Sequence, residues 1–294
     1  MIAVLTECPW KKTEVQRLVF QPPQPGVPPW GPVACELATN PPCRLVSVDS
    51  LSDAARTAAA EAPLLEVLTA ANDGMSESDS LEALQQWVAP GVSAAEAGLQ
   101  SVALHGVQVV WGLGSPHLDG TRSPRIGVAA LAERQPRLVP AILEFACLEM
   151  ALQILEHKVA QAWPQLEEDG PLAFDFDHRS ERRRSVLAGR FQSMLGMRAR
   201  WSQLQPPVHR PLVYPPTLAS QVGERLRERA RLAERWESLG GQIDVFQNVY
   251  ELCAQRAHDW RLAWKGHTLE VFIIMLLLLQ TILLMFELFA GSEA

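Results

Sequence analysis

Two carboxylates and a histidine lie close together in the middle of the chain, where residues 174–178 read FDFDH. Carboxylates and imidazole can bind a metal ion or transfer protons, so Asp175, Asp177 and His178 are candidate catalytic residues in a pocket of the N-terminal half. Acidic residues in an exposed loop are more often solvated turn residues, and no second motif supports catalysis. We therefore predict no catalytic residue, no metal site and no cofactor, and keep a membrane-bound hydrolase or nucleotide-binding enzyme as the alternative hypothesis.

Arginines follow this cluster closely. Guanidinium groups bind phosphate oxygens in pairs, so the stretch could bind phosphate or RNA backbone. We favour a solvated helix face that keeps the protein soluble or contacts anionic lipid headgroups, because no base-stacking motif accompanies the arginines. The net charge of −7 also argues against nucleic-acid binding by bulk electrostatics, and we expect no sequence-specific binding. The candidate residues for partner or lipid binding are Arg179, Arg182, Arg183, Arg184 and Arg190.

The cysteines and histidines show no metal-binding pattern. The five cysteines are scattered and lack CxxC spacing, which predicts buried structural thiols in a reducing compartment. His105 and His157 have apolar neighbours in the sequence, so we predict that they are core residues rather than ligands. The cysteines are Cys8, Cys35, Cys43, Cys147 and Cys253.

An almost uninterrupted apolar segment lies near the C-terminus, where residues 271–286 read VFIIMLLLLQTILLMF. A helix over residues 269–290 rises about 1.5 Å per residue and so matches a bilayer hydrocarbon core of about 30 Å. Core helices usually keep a polar stripe, whereas this segment is apolar on every side. It predicts a transmembrane anchor whose characteristic residues are Leu269, Glu270, Val271, Phe272, Ile273, Ile274, Gln280, Thr281 and Phe286.

The polar residues in and before this segment predict its contacts and its orientation. Gln280 and Thr281 are costly in lipid, so we expect them to face another helix, through self-association of the anchor or hairpin or through a membrane partner. Basic residues precede the span, and the positive-inside rule places the large N-terminal portion in the cytoplasm at a bacterial inner membrane, or in the matrix at a mitochondrial inner membrane. These basic residues are Arg256, Arg261, Lys265 and His267.

The remaining sequence predicts an α+β fold with a small β-containing N-terminal module, a helical C-terminal half with a long helical hairpin, and one C-terminal transmembrane helix. We divide it into an α/β module over 1–135 with a proline-rich loop, a helical domain over 136–268 with the charged hairpin, and the anchor over 269–290. In the module we predict strands or paired strands at Ile2–Leu5, Val33–Leu37, Arg44–Val48 and Ser101–Gly112, and helices at Leu51–Ala62 and Leu81–Val88.

The C-terminal half shows helical spacing and no strand signal. Helices are predicted over Ile142–Gln165 and Arg182–Leu204, followed by a stiff proline-rich connector from Pro206 to Pro216. Two charged amphipathic segments, Thr217–Leu239 and Gln242–His267, are predicted to form an antiparallel helix pair around a break at Gly240–Gly241. Helix-surface ion pairs account for the alternating arginines and glutamates of the first segment.

Several of these features resemble the RMD family, named for a requirement in meiotic nuclear division and also called domain-of-unknown-function family 155. The residues that carry the resemblance are HGVQVVWG at 105–112, the helix Leu143–Glu156, the charged hairpin, Tyr250-Glu251-Leu252 with a following arginine, and LEVFII at 269–274. The resemblance covers about residues 100 to 290. The chain departs from the family pattern at Val271, where tryptophan is usual, and at Gln280, where an acidic residue is expected.

The resemblance implies a non-enzymatic membrane protein. Eukaryotic members of the family look like mitochondrial inner-membrane factors that support organelle translation, by holding ribosomes near the membrane. From the resemblance and the apolar segment together we expect a tail-anchored scaffold or tether for a protein or ribonucleoprotein partner.

Overall fold

The computed structural model describes residues 13–21, 27–37, 39, 42–51, 53–59, 62–72, 74–90, 98–116, 122–174, 183–210 and 216–290. Its strands all precede residue 131 and its longest helices follow, so the fold is α+β, with the sheet in the N-terminal half. The chain divides into two compact units. The first unit comprises residues 1–157 and 199–240, and the second comprises residues 158–198 and 241–294.

The first unit contains a seven-stranded mixed sheet. Its strands are β1 (Thr13–Gln21), β2 (Val33–Leu37), β3 (Cys43–Ser47), β4 (Leu64–Ala71), β5 (Gln100–Leu104), β6 (Val107–Pro116) and β7 (Arg122–Ala130). The spatial order is β2-β3-β1-β4-β7-β6-β5, with β4 and β7 parallel and all other neighbours antiparallel. The central parallel pair requires a long crossover, which is the chain between β4 and β7.

The described structure also has six α-helices and two short 3-10 helices, Val48–Ser50 and Gly170–Ala173. The α-helices are α1 (Asp53–Ala59), α2 (Glu77–Val88), α3 (Gln135–Asp169), α4 (Arg184–Val208), α5 (Leu218–Arg229) and α6 (Leu232–Ala290). Side-chain caps define where two of them begin: the Ser76 hydroxyl accepts a hydrogen bond from the backbone N–H of Asp79, and Thr217 forms a reciprocal capping box with Ser220.

Helices cover both faces of the sheet. Leu68 and Ala70 of β4 point to the side covered by α2, where they form a buried cluster with Leu84. On the opposite face α3 packs against β6, and the rings of Trp111 and Phe145 meet edge to face with centroids 5.2 Å apart. Strand β4 is therefore buried on both faces, which is why six of its eight residues are apolar and do not alternate with polar ones.

The tight turn between β5 and β6 consists of His105 and Gly106, with φ angles of 50° and 77°. Two consecutive positive φ angles match the right-handed twist of a two-residue hairpin, so the predicted strand pair around this glycine is confirmed. His105 is exposed in this turn and His157 is exposed on α3, so the prediction that both are core residues is wrong. Apolar neighbours in sequence do not bury a residue that occupies a turn or the solvent side of a helix.

The strands at Val33–Leu37 and near residues 44–48 are confirmed, as are helices close to both predicted positions in the module. Ile2–Leu5 lies outside the described residues. Three strands were not predicted, namely β1, β4 and β7. β4 lacks alternation because it is buried on both sides, and β7 contains proline and glycine, which weaken any strand signal.

The helix break predicted at Gly240–Gly241 is wrong. α6 runs without interruption from Leu232 to Ala290, and the chain turns instead at Ala230–Arg231, where Arg231 has a φ of 51°. Gly240 serves close packing, because a Cβ atom there would lie 2.6 Å from the Trp201 ring. A glycine can thus be required in a helix because a larger side chain would clash with a neighbouring ring, and not because the helix bends there.

The proline-rich connector also begins later than predicted. Pro206 and Pro207 belong to the last turn of α4, and the backbone N–H of His209 still donates to the carbonyl of Gln205 at 3.0 Å. The two prolines deprive the helix of only two backbone N–H donors, and the helix ends directly after them. Residues 211–215 lie outside the described part of the chain.

Candidate membrane anchor and its helical support

α6 changes its environment along its length. In the second unit its buried residues recur every three or four positions, as expected for one face of a packed helix. This stripe consists of Ile243, Phe246, Tyr250, Cys253 and Ala257. Beyond Ala257 no described residue of α6 is buried.

From Leu269 onward large apolar side chains are exposed on every side of the helix. All nine residues from 271 to 279 are exposed, between 48% and 64%, although consecutive helical residues point in different directions. No single partner face can account for such a pattern. Apolar exposure on this scale is typical of a surface that contacts lipid or another protein.

Two helices of the described chain are long and apolar enough to cross a membrane. The apolar window of α3 is 61% buried, so its hydrophobicity is explained by the core of the protein. The corresponding window of α6 is 0% buried, with a mean hydropathy of 1.8. Packing therefore accounts for the apolar residues of the first helix, whereas no described residue covers the apolar window of the second.

The two polar residues of the apolar segment differ in their hydrogen bonding. The Thr281 hydroxyl donates to the Leu277 carbonyl at 2.5 Å, a bond within its own helix that satisfies the hydroxyl. The Gln280 side chain is exposed, and it makes no hydrogen bond with any part of the chain that the structure describes. Within residues 271–286, Gln280 is therefore the described polar side chain that makes no hydrogen bond inside the described chain.

A short polar and aromatic stretch separates the buried stripe from the apolar segment. The rings of Trp260 and Trp264 stack one helical turn apart, with centroids 6.4 Å from each other. His267 and Glu270 form an exposed ion pair at 3.6 Å. Tryptophan with basic side chains is the composition found at membrane–water interfaces.

A buried carboxylate holds the helices of the second unit together. Asp169 at the end of α3 is 1% exposed and accepts hydrogen bonds from Arg190 at 2.6 Å and from the Tyr250 hydroxyl at 3.3 Å. The Cys253 thiol contacts the Asp169 carbonyl oxygen at 3.7 Å. A buried charge is tolerated only with such compensation, so these contacts fix α3, α4 and α6 relative to one another within the unit.

This network shifts the pKa values of its members. Burial, together with the negative charge of Asp169, raises the pKa of Tyr250 to about 12 and that of Cys253 to about 11. The hydrogen bond to Asp169 raises the pKa of Arg190 above its ordinary value. All three groups are thereby kept in the protonated forms that bond to Asp169.

The predicted arginine-rich stretch is partly engaged in ion pairs. Arg190 and Arg183 both bind Glu168, and their hydrogen bonds, with their positive charges, lower the pKa of that exposed carboxyl. Arg184 begins α4, and its side chain is not described. Arg179 and Arg182 lie outside the described residues, as do the candidate catalytic residues Asp175, Asp177 and His178.

One charged cluster of the first unit was not predicted. Arg235 binds Glu149 and Glu156 of α3 at 2.8 Å each, rather than a glutamate of its own helix. These hydrogen bonds raise its pKa despite the opposing effect of burial. The sequence shows Arg235 as one of many alternating charges, so no local signal distinguishes it. Arg225 and Glu228 do form a predicted helix-surface pair, at 3.0 Å.

The described residues contain no group of three or more histidine, cysteine, aspartate or glutamate side chains placed to hold a metal ion. No protein-family model matches the chain, and no curated protein matches it. The RMD resemblance therefore stays a prediction that depends on the residues quoted for it. What the structure adds is a helix whose apolar end is exposed and packs against none of the described residues outside it.

Proposed function

We propose that the chain is a single-pass membrane protein, anchored by residues 269–290 of α6, whose soluble portion acts as a scaffold or tether for a protein or ribonucleoprotein partner. The observation that carries the proposal is the exposure of the apolar segment on all sides, in contrast to the buried apolar window of α3. The segment is also long enough, since its 22 residues rise about 33 Å.

The orientation follows from charge. Arg256, Arg261 and Lys265 lie just before the segment, on its N-terminal side. Because basic residues are retained on the cytoplasmic or matrix side, we propose that the chain before Leu269 lies on that side. Trp260 and Trp264 then lie close to the headgroup region.

The tethering role is supported by the RMD resemblance and by the structure of α6 itself. The buried stripe ends at Ala257 and the apolar segment begins at Leu269, so eleven residues lie between them, and none of them is buried. A continuous helix across this stretch would hold the packed part of the second unit at a defined distance from the bilayer. A partner held by the soluble portion would thereby be kept near the membrane.

Membrane fractionation tests the anchor. The full chain is expected in the membrane pellet after both high-salt and carbonate washes, because a transmembrane helix resists extraction that releases peripheral proteins. A truncation before Leu269 is expected in the supernatant. Recovery of the full chain in the carbonate supernatant would remove the basis of the proposal.

The tether is tested separately by crosslinking before gentle detergent extraction, followed by purification through an N-terminal tag. A defined protein or ribonucleoprotein should copurify with the full chain, and less of it with the truncation if the membrane brings the two together. Nuclease treatment distinguishes the two classes, since a ribonucleoprotein loses RNA-dependent components. A chain that stays alone after crosslinking contradicts tethering but leaves anchoring intact.

A further inference from the structure

The apolar segment of α6 and the stretch before it share one face of the helix. In a seven-residue repeat lettered a to g, the buried stripe from Ile243 to Ala257 occupies positions b and f. Trp260 and Trp264 continue at b and f, on the same side. Positions a and d lie on the opposite side, and between residues 262 and 283 none of them is buried. These seven residues, the a/d face, are Leu262, Gly266, Leu269, Ile273, Leu276, Gln280 and Leu283.

Three members of the a/d face do not follow from the apolar composition of the segment. Leu262 precedes the segment and is 56% exposed. A Cβ atom at Gly266 would have nothing within 4 Å, so packing among the described residues gives no reason for a glycine, which weakens a helix. Gln280 makes no hydrogen bond with the described chain. A second helix on this face explains all three, because it covers the leucine, approaches closely at the glycine and bonds to the carboxamide.

The charges beside the a/d face identify this second helix as another copy of α6. Lys265 is at position g and Glu270 at position e, and in a parallel pair a g residue lies beside the following e residue of the other helix. Two copies in the same register therefore place Lys265 of each against Glu270 of the other. Gln280 also suits a copy of itself, since a carboxamide both donates and accepts. Asp259, the preceding a residue, would bring two carboxylates together, so the contact begins after it.

We propose that two copies of the chain associate in the membrane as a parallel pair of α6 helices, in contact along the a/d face. This inference rests on the proposed function, because insertion in one orientation is what makes the two helices parallel. The contact leaves Trp260 and Trp264 on the outer side of each helix, where they can meet the lipid headgroups. It also leaves the buried stripe of the second unit undisturbed.

Photo-crosslinking at matched positions of the full chain in membranes tests this face. A photoreactive phenylalanine analogue replaces Leu269 or Leu276 on the a/d face, or Val271 or Leu278 at position f as a control. All four side chains are between 48% and 62% exposed, so they are matched in accessibility. A crosslinked dimer is expected at Leu269 and Leu276 and not at the controls. Equal crosslinking at all four positions, or a product with a different protein at Leu269 and Leu276, would overturn the proposal.

Charge reversal tests the register. Lys265→Glu brings like charges together and should lower the ratio of dimer to monomer by about two- to fivefold, the factor that an exposed ion pair contributes. Adding Glu270→Lys restores opposite charges and should recover the wild-type ratio. Arg261→Glu, the same change of charge at position c, should leave the ratio unchanged. If Lys265→Glu has no more effect than Arg261→Glu, the proposed register is wrong.

The carbonate-resistant fraction is measured in the same membranes, so that failure of the pair and failure of the anchor can be told apart. A resistant chain that gives no crosslinked dimer contradicts the pairing and leaves the anchor intact. A chain that carbonate extracts contradicts the anchor and, with it, the parallel pairing.

Discussion

The sharpest test of the anchor is one arginine placed at the centre of the apolar segment. In residues 269–287, thirteen side chains are Leu, Ile, Val or Phe, and each favours insertion by about 0.3–0.6 kcal/mol, or roughly 4–8 kcal/mol together. Arginine at the centre of a membrane helix costs about 2.5–3.5 kcal/mol. Leu278→Arg should therefore leave insertion marginal, and Leu277→Arg added to it should abolish insertion.

A matched control lies on the same helix. Leu262 is 56% exposed and Leu278 is 58% exposed, so an aqueous helix would accept arginine equally well at both positions. Leu262 precedes the apolar segment, and Leu262→Arg should leave insertion unchanged or strengthen it by adding a basic residue on the retained side.

The assay is the carbonate-resistant fraction of newly synthesised chain in isolated membranes. We expect wild type and Leu262→Arg to be retained, Leu278→Arg to be partly extracted, and the double arginine variant to be fully extracted. Equal retention of Leu262→Arg and Leu278→Arg would refute the reasoning, since it would mean that the segment is not in hydrocarbon.

Three further predictions concern packing, pH and association. Gly240→Ala should lower the free energy of unfolding by about 1–2 kcal/mol in denaturant titrations, because the added Cβ would lie 2.6 Å from the Trp201 ring and this overpacking outweighs the gain in helix propensity. Gly241→Ala is the matched control: a Cβ there has nothing within 4 Å, so this change should raise the free energy of unfolding by up to about 1 kcal/mol. The pKa of Tyr250 is raised from 10.0 to about 12 in the folded protein. The neutral phenol therefore contributes its full stability below pH 10, and this contribution is lost as the pH rises towards 12. In thermal melts across this pH range, Tyr250→Phe should show a smaller loss of stability than the wild type. Gln280→Leu should lower the fraction of crosslinked dimer in membranes, and an unchanged dimer fraction would assign the contact to other residues.

The effect at Gly240 depends on how firmly the neighbouring ring is held. The Trp201 and Trp236 rings stack with centroids 4.3 Å apart and an interplanar angle of 7°. Each indole N–H also donates to the backbone carbonyl of the other tryptophan, at 2.8 and 3.0 Å. The ring cannot swing away without losing these bonds, so the added methyl group is not easily accommodated.

The apolar segment and the β5–β6 hairpin could be predicted from sequence because their signals are local. The all-apolar composition of residues 271–279 requires no knowledge of the rest of the fold, and a glycine between two alternating strands suffices to indicate a hairpin turn. The continuity of α6 through Gly240 and Gly241 could not be predicted in the same way. Gly240 has the sequence signature of a helix end, yet the Trp201 ring that requires it lies 39 residues earlier in the chain.

The support of the anchor was still less accessible from sequence. Asp169 follows Glu167 and Glu168, and nothing local shows which of these acids is buried. The choice depends on Arg190 and Tyr250, which come from two other helices. The polar contacts of Asp169 therefore depend on residues far apart in the sequence, whereas the apolar segment of α6 can be recognised from a local pattern.

The strand order of the sheet also bears on how the protein is made. Its last strand, β7, ends at Ala130 and pairs in parallel with β4, so every strand has been synthesised while roughly 160 residues, including the whole of α6, remain. At about 5–20 residues per second a ribosome needs on the order of ten seconds or more to add them, longer than sheet-rich domains of this size usually take to fold. The strands can therefore pair before the exposed apolar segment of α6 is synthesised.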